Sequence, residues 1–91
     1  MPRRTTDRRS GPKAIGRYRY IHFKRAAEDH AGRPMFLCLN NRSQMELAKV
    51  FWYAEWKQFC FTQSAEGVVF NNTCLADIKD FLDKANAGAF E

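Results

Sequence analysis

Little in this sequence can carry catalysis. It holds two histidines, His22 and His30, and three cysteines, Cys38, Cys60 and Cys74. No Cys-x-x-Cys pair occurs, and the gaps between cysteines are long and irregular, so zinc-knuckle spacing is absent. An odd number of thiols, each set among apolar neighbours, reads as reduced, buried cysteine in a reducing compartment. There is no GxGxxG and no GxxxxGK[ST], which removes the common nucleotide-cradling loops. No apolar run approaches the roughly 18 residues that a membrane-spanning helix needs. The Arg-rich N-terminal stretch is not followed by an apolar segment, so it does not read as a secretory signal, and a cytoplasmic protein is expected.

Aromatic side chains are plentiful: 8 Phe, 3 Tyr and 2 Trp in 91 residues. A chain of this length is one domain and buries only roughly 60–65% of its unfolded surface. Dense ring packing is the available way to hold it together. The net charge is +5 and unevenly placed. Residues 1–13, MPRRTTDRRSGPK, contribute +4, residues 14–30 contribute +2, and residues 31–91 contribute −1. The basic tail, taken as residues 1–14, has too little apolar surface to offset its ordering entropy and is expected to be disordered. Such an arm is either a solvated tail or a non-specific contact for phosphate backbones.

Residues 15–88 read as a single α+β domain. RYRYIHFK, Arg17–Lys24, alternates and is rich in Tyr, Ile and Phe, the pattern of a first strand. Ala26–His30 has the composition of a helical turn, ended by Gly32 and Pro34. Met35–Leu39 is a short apolar strand, and Asn40–Ser43 is turn chemistry. Met45–Tyr53 reads as a third strand, with helix as the competing state for its first half. Ala54–Glu55 is the bend, Trp56–Thr62 a fourth strand, and Val68–Phe70 a short fifth. Asn71, Asn72 and Thr73 are three successive helix-cap candidates. Leu75, Ile78, Leu82 and Ala85 then recur at helical spacing over Thr73–Ala85, with Gly88 as the stop. Asp77 and Lys84 fall where the helix dipole favours them. The expected architecture is a four- to five-stranded antiparallel meander packed by one C-terminal helix. Most of the core is expected within Trp52–Leu82.

The chemistry-bearing residues point to binding rather than turnover. His22 lies in a strand among aromatics, and His30 lies in a polar loop beside Glu28 and Asp29; neither has the neighbours of a general base. A Cys60–His22 pair lacks supporting spacing. Asp77, Asp80 and Asp83 alternate with Lys79 and Lys84 and read as a solvated helix face. No metal, cofactor or catalytic residue is assigned. What remains is an interleaving of aromatic and basic side chains. Lys49, Phe51 and Tyr53 share one strand face, with Trp56 and Lys57 at the bend. Such a plate either stacks bases and contacts phosphates, or forms a protein-binding hot spot. The alternative is that these rings fill a second small core. Arg17, Arg19, Lys49, Tyr53, Trp56 and Lys57 are the macromolecule-binding candidates.

WYAEWKQFCF, then VVF, then CLADIKDFL also resembles a pattern found in small uncharacterised proteins encoded by bacteriophages and prophages. There it runs Trp-Tyr, a bend, Trp-Arg/Lys-Gln-aromatic-x-Phe, a short strand ending in Phe, and Cys-Leu-x-Asp-Ile-x-x-Phe. The likeness covers Phe51–Leu82, about a third of the chain. Many such proteins end the aromatic strand in Phe-Pro, whereas Thr62-Gln63 follows Phe61 here, so the turn is expected to differ. The resemblance implies an accessory role in the cytoplasm of a bacterial host cell. A host or phage protein is the partner expected for such an accessory role; the rival expectation, read from the residues themselves, is a single-stranded nucleic acid engaged by the Arg-rich arm with the Tyr53, Trp56 and Lys57 plate. The resemblance carries no catalytic residues to transfer.

Overall fold

The computed structural model describes residues 14–29 and 31–90. Five strands and one helix follow in order: β1 Ala14–Arg17, β2 Ile21–Ala26, β3 Met35–Asn40, β4 Glu46–Tyr53, β5 Gln58–Gln63 and α1 Asn72–Asn86. The strands form one antiparallel sheet in the order β1-β2-β3-β4-β5, a meander with the helix on one face. This is the expected architecture. The basic tail falls outside the described residues except for Ala14, which opens β1 rather than belonging to the tail. His30 also lies outside them.

The helix is set by its ends. Asn71 is the N-cap, and its side chain accepts from the Cys74 amide at 2.8 Å. At the other end Gly88 takes left-handed backbone, φ 84°. The Gly88 amide bonds to Ala85 O and the Ala89 amide to Lys84 O, a Schellman closure that satisfies the last carbonyls. Because the helix begins at Asn72, Asp77 lies beyond the first turn, which holds no acid; only Lys84, in the last turn, meets the dipole as expected.

Alternation along the strands places Ile21, Phe23, Phe36, Cys38, Ala48, Val50 and Phe59 under the helix, where they meet Cys74, Ile78, Phe81 and Ala85. Phe81 is the centre. Its ring stacks on Phe23 at 3.9 Å and on Phe90 at 4.7 Å, and meets Phe36 edge-on at 5.2 Å. Most core positions therefore lie upstream of Trp52, not within Trp52–Leu82: three paired strands offer more inward positions than one hairpin. Leu75 is exposed and Cys74 takes its place inward, while Leu82 is half-buried. Phe90 packs against the core, so the domain reaches beyond residue 88.

Several segment boundaries differ from the expectation. Arg17–Lys24 is not one strand: Tyr18–Tyr20 turns the chain from β1 into β2, closed by the Tyr18 amide on Ile21 O at 2.8 Å. Ala26 ends β2, and residues 27–29 form no helical turn; Asp29 instead accepts from the Ala31 and Arg33 amides. Trp56 and Lys57 belong to the β4–β5 turn, not to a strand. Val68–Phe70 is not a strand: the segment carries the chain from edge strand β5 to the helix and has no ladder partner. Two of the thiols, Cys38 and Cys74, are buried, and Cys60 is half-buried.

Candidate functional site

No described element lies across the second face of the sheet. Register places Arg17, His22, Lys24, Leu37, Lys49, Phe51, Tyr53, Gln58 and Cys60 on it. One cross-strand row runs Lys24, Leu37, Lys49, Thr62, and the next pairs Phe51 with Cys60. Glu46, which accepts from the Ser64 hydroxyl at 2.6 Å, is the only carboxylate within the five strands. On α1, Asp80 and Asp83 pair with Lys84 and Lys79. Among the described residues, Arg17, Lys24 and Lys49 on the open face have no carboxylate partner.

The β4–β5 turn stands at one end of that face. The Trp56 amide bonds to Tyr53 O and the Lys57 amide to Ala54 O, closing a four-residue loop. Lys57 holds left-handed backbone at φ 53°, a conformation that costs an L side chain of this kind about 1–2 kcal/mol. Trp56 is 65% exposed. Its ring meets Tyr53 edge-on at 4.9 Å, and Tyr53 meets Phe51 edge-on at 6.1 Å. The Tyr53 hydroxyl donates to Glu55, and that hydrogen bond raises the phenol's pKa. The rings therefore form a braced ridge from the sheet face to the turn, not a second sealed core.

Arg17 and Arg19 lie at the opposite end of the sheet. β4 spans about 23 Å at roughly 3.3 Å per residue, so the six candidate residues do not form one cluster. Tyr53, Trp56 and Lys57 share the turn, Lys49 lies mid-face, and at the far end Arg17 closes β1 while Arg19 lies within the β1–β2 turn. The far end gathers residues that the sequence did not single out. Asn41, in the β3–β4 turn, accepts from His22 Nδ1 at 2.6 Å and from Arg17 at 3.3 Å. Its amide nitrogen donates to Tyr18 O and Arg19 O. Since both carbonyls must face the NH₂ group, Oδ1 faces the ring and Nδ1 of His22 carries the proton. His22 is 1% exposed, a packed side chain bound into this brace. Asn41 had read only as a turn former; its contacts are long-range, and no local pattern announces them.

The cysteines are divided by the sheet, with Cys60 on the open face and Cys38 and Cys74 beneath the helix. Burial, and secondarily the nearby Cys74, pushes the Cys38 thiol from 9.0 up to about 12, so it is a poor nucleophile. No protein-family model, curated protein or solved structure matches the chain.

Proposed function

We propose that the protein is a non-enzymatic binding module that presents the Tyr53–Lys57 turn and the adjoining open sheet face to a protein partner. The observation that carries this reading is Trp56, a large ring left 65% in solvent yet braced by Tyr53. Tryptophan and tyrosine held rigidly at a surface are the side chains that dominate protein interfaces. The left-handed Lys57 beside them is the kind of local strain that collects at functional positions. In keeping with the phage resemblance, the role proposed is accessory: engaging a host or phage protein inside a bacterial cell, as an inhibitor of a host process does.

The test is capture of partner protein from bacterial lysate on the immobilised chain at high salt, with Trp56→Ala as the comparison. Truncating a central hot spot costs about 2 kcal/mol or more, roughly thirtyfold in affinity. Trp56→Ala is expected to abolish capture while leaving the melting temperature unchanged. Equal capture by both proteins would refute the reading. A second reading, single-stranded nucleic-acid binding, is favoured by Lys24 and Lys49 on a face whose strands hold one carboxylate. It requires a salt-dependent shift with single-stranded oligonucleotides that weakens on deletion of residues 1–13.

A further inference from the structure

At the end of the sheet remote from Trp56, the β1–β2 and β3–β4 turns enclose an open cleft of about 390 Å³. It is lined by Arg19, Tyr20, Asn40, Asn41 and Arg42. Arg17 reaches its wall through Asn41. Lys79 and Lys84 on α1 each have a carboxylate partner, whereas among the described residues no carboxylate pairs with the guanidinium groups of Arg17, Arg19 or Arg42 at these two turns.

The cleft is also built in advance. Asn41 ties one turn to the other with its side chain, and its own amide donates to Tyr20 O at 2.9 Å. Asn40 Oδ1 accepts from the Arg42 and Ser43 amides, fixing the backbone that carries Arg42. Gln44 is held in left-handed backbone, φ 65°, and donates through its side chain to Asn41 O. Tyr20 is 41% exposed, and the Arg19 guanidinium lies 5.1 Å from its ring centre. A rigid cationic cleft with an exposed ring beside it offers two chemistries together: guanidinium forks that match phosphate oxygens, and a π-face on which a base can stack.

We propose that this cleft binds a nucleoside phosphate, with Arg19 and Arg42 on the phosphate and Tyr20 against the base. A volume of this size suits a single nucleotide unit. That unit comes either from a free nucleotide or from a single strand laid across the turns. The site is independent of the Trp56 ridge, so either proposal can fail without the other.

The test follows backbone amide shifts of the full-length protein by NMR during titration with inorganic phosphate, with AMP, and with a short single-stranded oligothymidylate. AMP is expected to shift Arg19, Tyr20, Asn41 and Arg42 and to bind about fivefold to a hundredfold more tightly than phosphate, the increment that stacking supplies. Arg42→Ala is expected to weaken AMP at least tenfold without changing the melting temperature, and Tyr20→Leu to erase the preference for AMP over phosphate. Trp56→Ala should leave both unchanged. If the oligonucleotide competes with AMP, and its log–log salt slope falls by about 0.7 in Arg42→Ala, the source is a single strand. If AMP saturates the cleft and the oligonucleotide does not compete, the source is a free nucleotide. Absence of shifts at the two turns would overturn the assignment, as would shifts indifferent to Arg19→Ala and Arg42→Ala. So would an acidic peptide that displaces AMP and binds equally well in Tyr20→Leu.

Discussion

Gly16 offers a sharp check on the packing. It lies opposite Phe23 in the β1–β2 ladder, on the face beneath the helix. A methyl group added there would lie 3.0 Å from Phe81 Cδ1, 3.2 Å from Phe81 Cε1 and 3.4 Å from Tyr18 Cε2. The Phe81 ring cannot retreat, because Phe23 stacks on it at 3.9 Å and Phe90 at 4.7 Å. Overpacking of this kind costs about 1–3 kcal/mol. Replacing a strand glycine returns about 0.5–1 kcal/mol by restricting the unfolded chain. Gly16→Ala is therefore expected to destabilise by about 1 kcal/mol net, a fall of about 4–8 °C in melting temperature for a domain this size. The assay is thermal unfolding followed by circular dichroism, repeated in a Phe81→Leu background. With the ring gone, the added methyl should be neutral or stabilising, giving a coupling of about 1 kcal/mol or more. An unchanged or raised melting temperature for Gly16→Ala in the parent protein would refute the reasoning. So would the same loss in both backgrounds.

Asn86 accepts from the Phe59 amide at 2.7 Å and donates to the Phe59 carbonyl at 3.3 Å, so the end of α1 satisfies both backbone groups of a residue on edge strand β5. Asn86→Ala is expected to cost about 1–3 kcal/mol in urea unfolding and to speed hydrogen exchange at Phe59; loss of neither would contradict the clamp. Alkaline stability should decline for a stated reason. Burial pushes the Cys38 thiol to about 12, while burial and then the hydrogen bond to Asp80 push the Tyr18 phenol up. Above pH 9 the unfolded chain holds fewer protons than the folded one, so stability is intact below that pH and falls as pH rises through the folded values. Tyr18→Phe should make the fall shallower in urea titrations at successive pH values, and an unchanged slope would count against it. On the acid side, hydrogen bonds from Lys84 and then Tyr18 hold Asp80 below its usual 3.8, and its contribution is lost as pH drops through that lowered value.

The helix was legible because its signals are local: an Asn cap, apolar residues three and four apart, and a glycine stop. Its inward stripe was misplaced by one position at two places: Cys74 turns in and Leu75 out, and Phe81 rather than half-buried Leu82 holds the centre. Strands β3 to β5 were legible from their aromatic and β-branched runs, to within a residue or two of their ends. The first hairpin was not. RYRYIHFK has the alternation of one continuous strand and contains no glycine, proline or asparagine to mark a reversal. Its turn is fixed from outside by Asn41, which sits more than twenty residues downstream and binds the Tyr18 and Arg19 carbonyls. The candidate binding residues divided on the same ground. Tyr53, Trp56 and Lys57 are neighbours in sequence and stayed together. Arg17 and Arg19 joined Arg42 and Tyr20 instead, a grouping that depends on which turns share an end of the sheet.

The placement of Phe81 also bears on how the chain folds as it is made. The meander is complete at Gln63, and each of its hairpins closes over a short stretch of sequence. The ring that seals its apolar side is 18 residues further on. At about 5–20 residues per second, Phe81 is added roughly 1–4 s after Gln63. Until that ring docks, Phe23, Phe36 and Val50 on any sheet that has formed are open to a chaperone or to self-association.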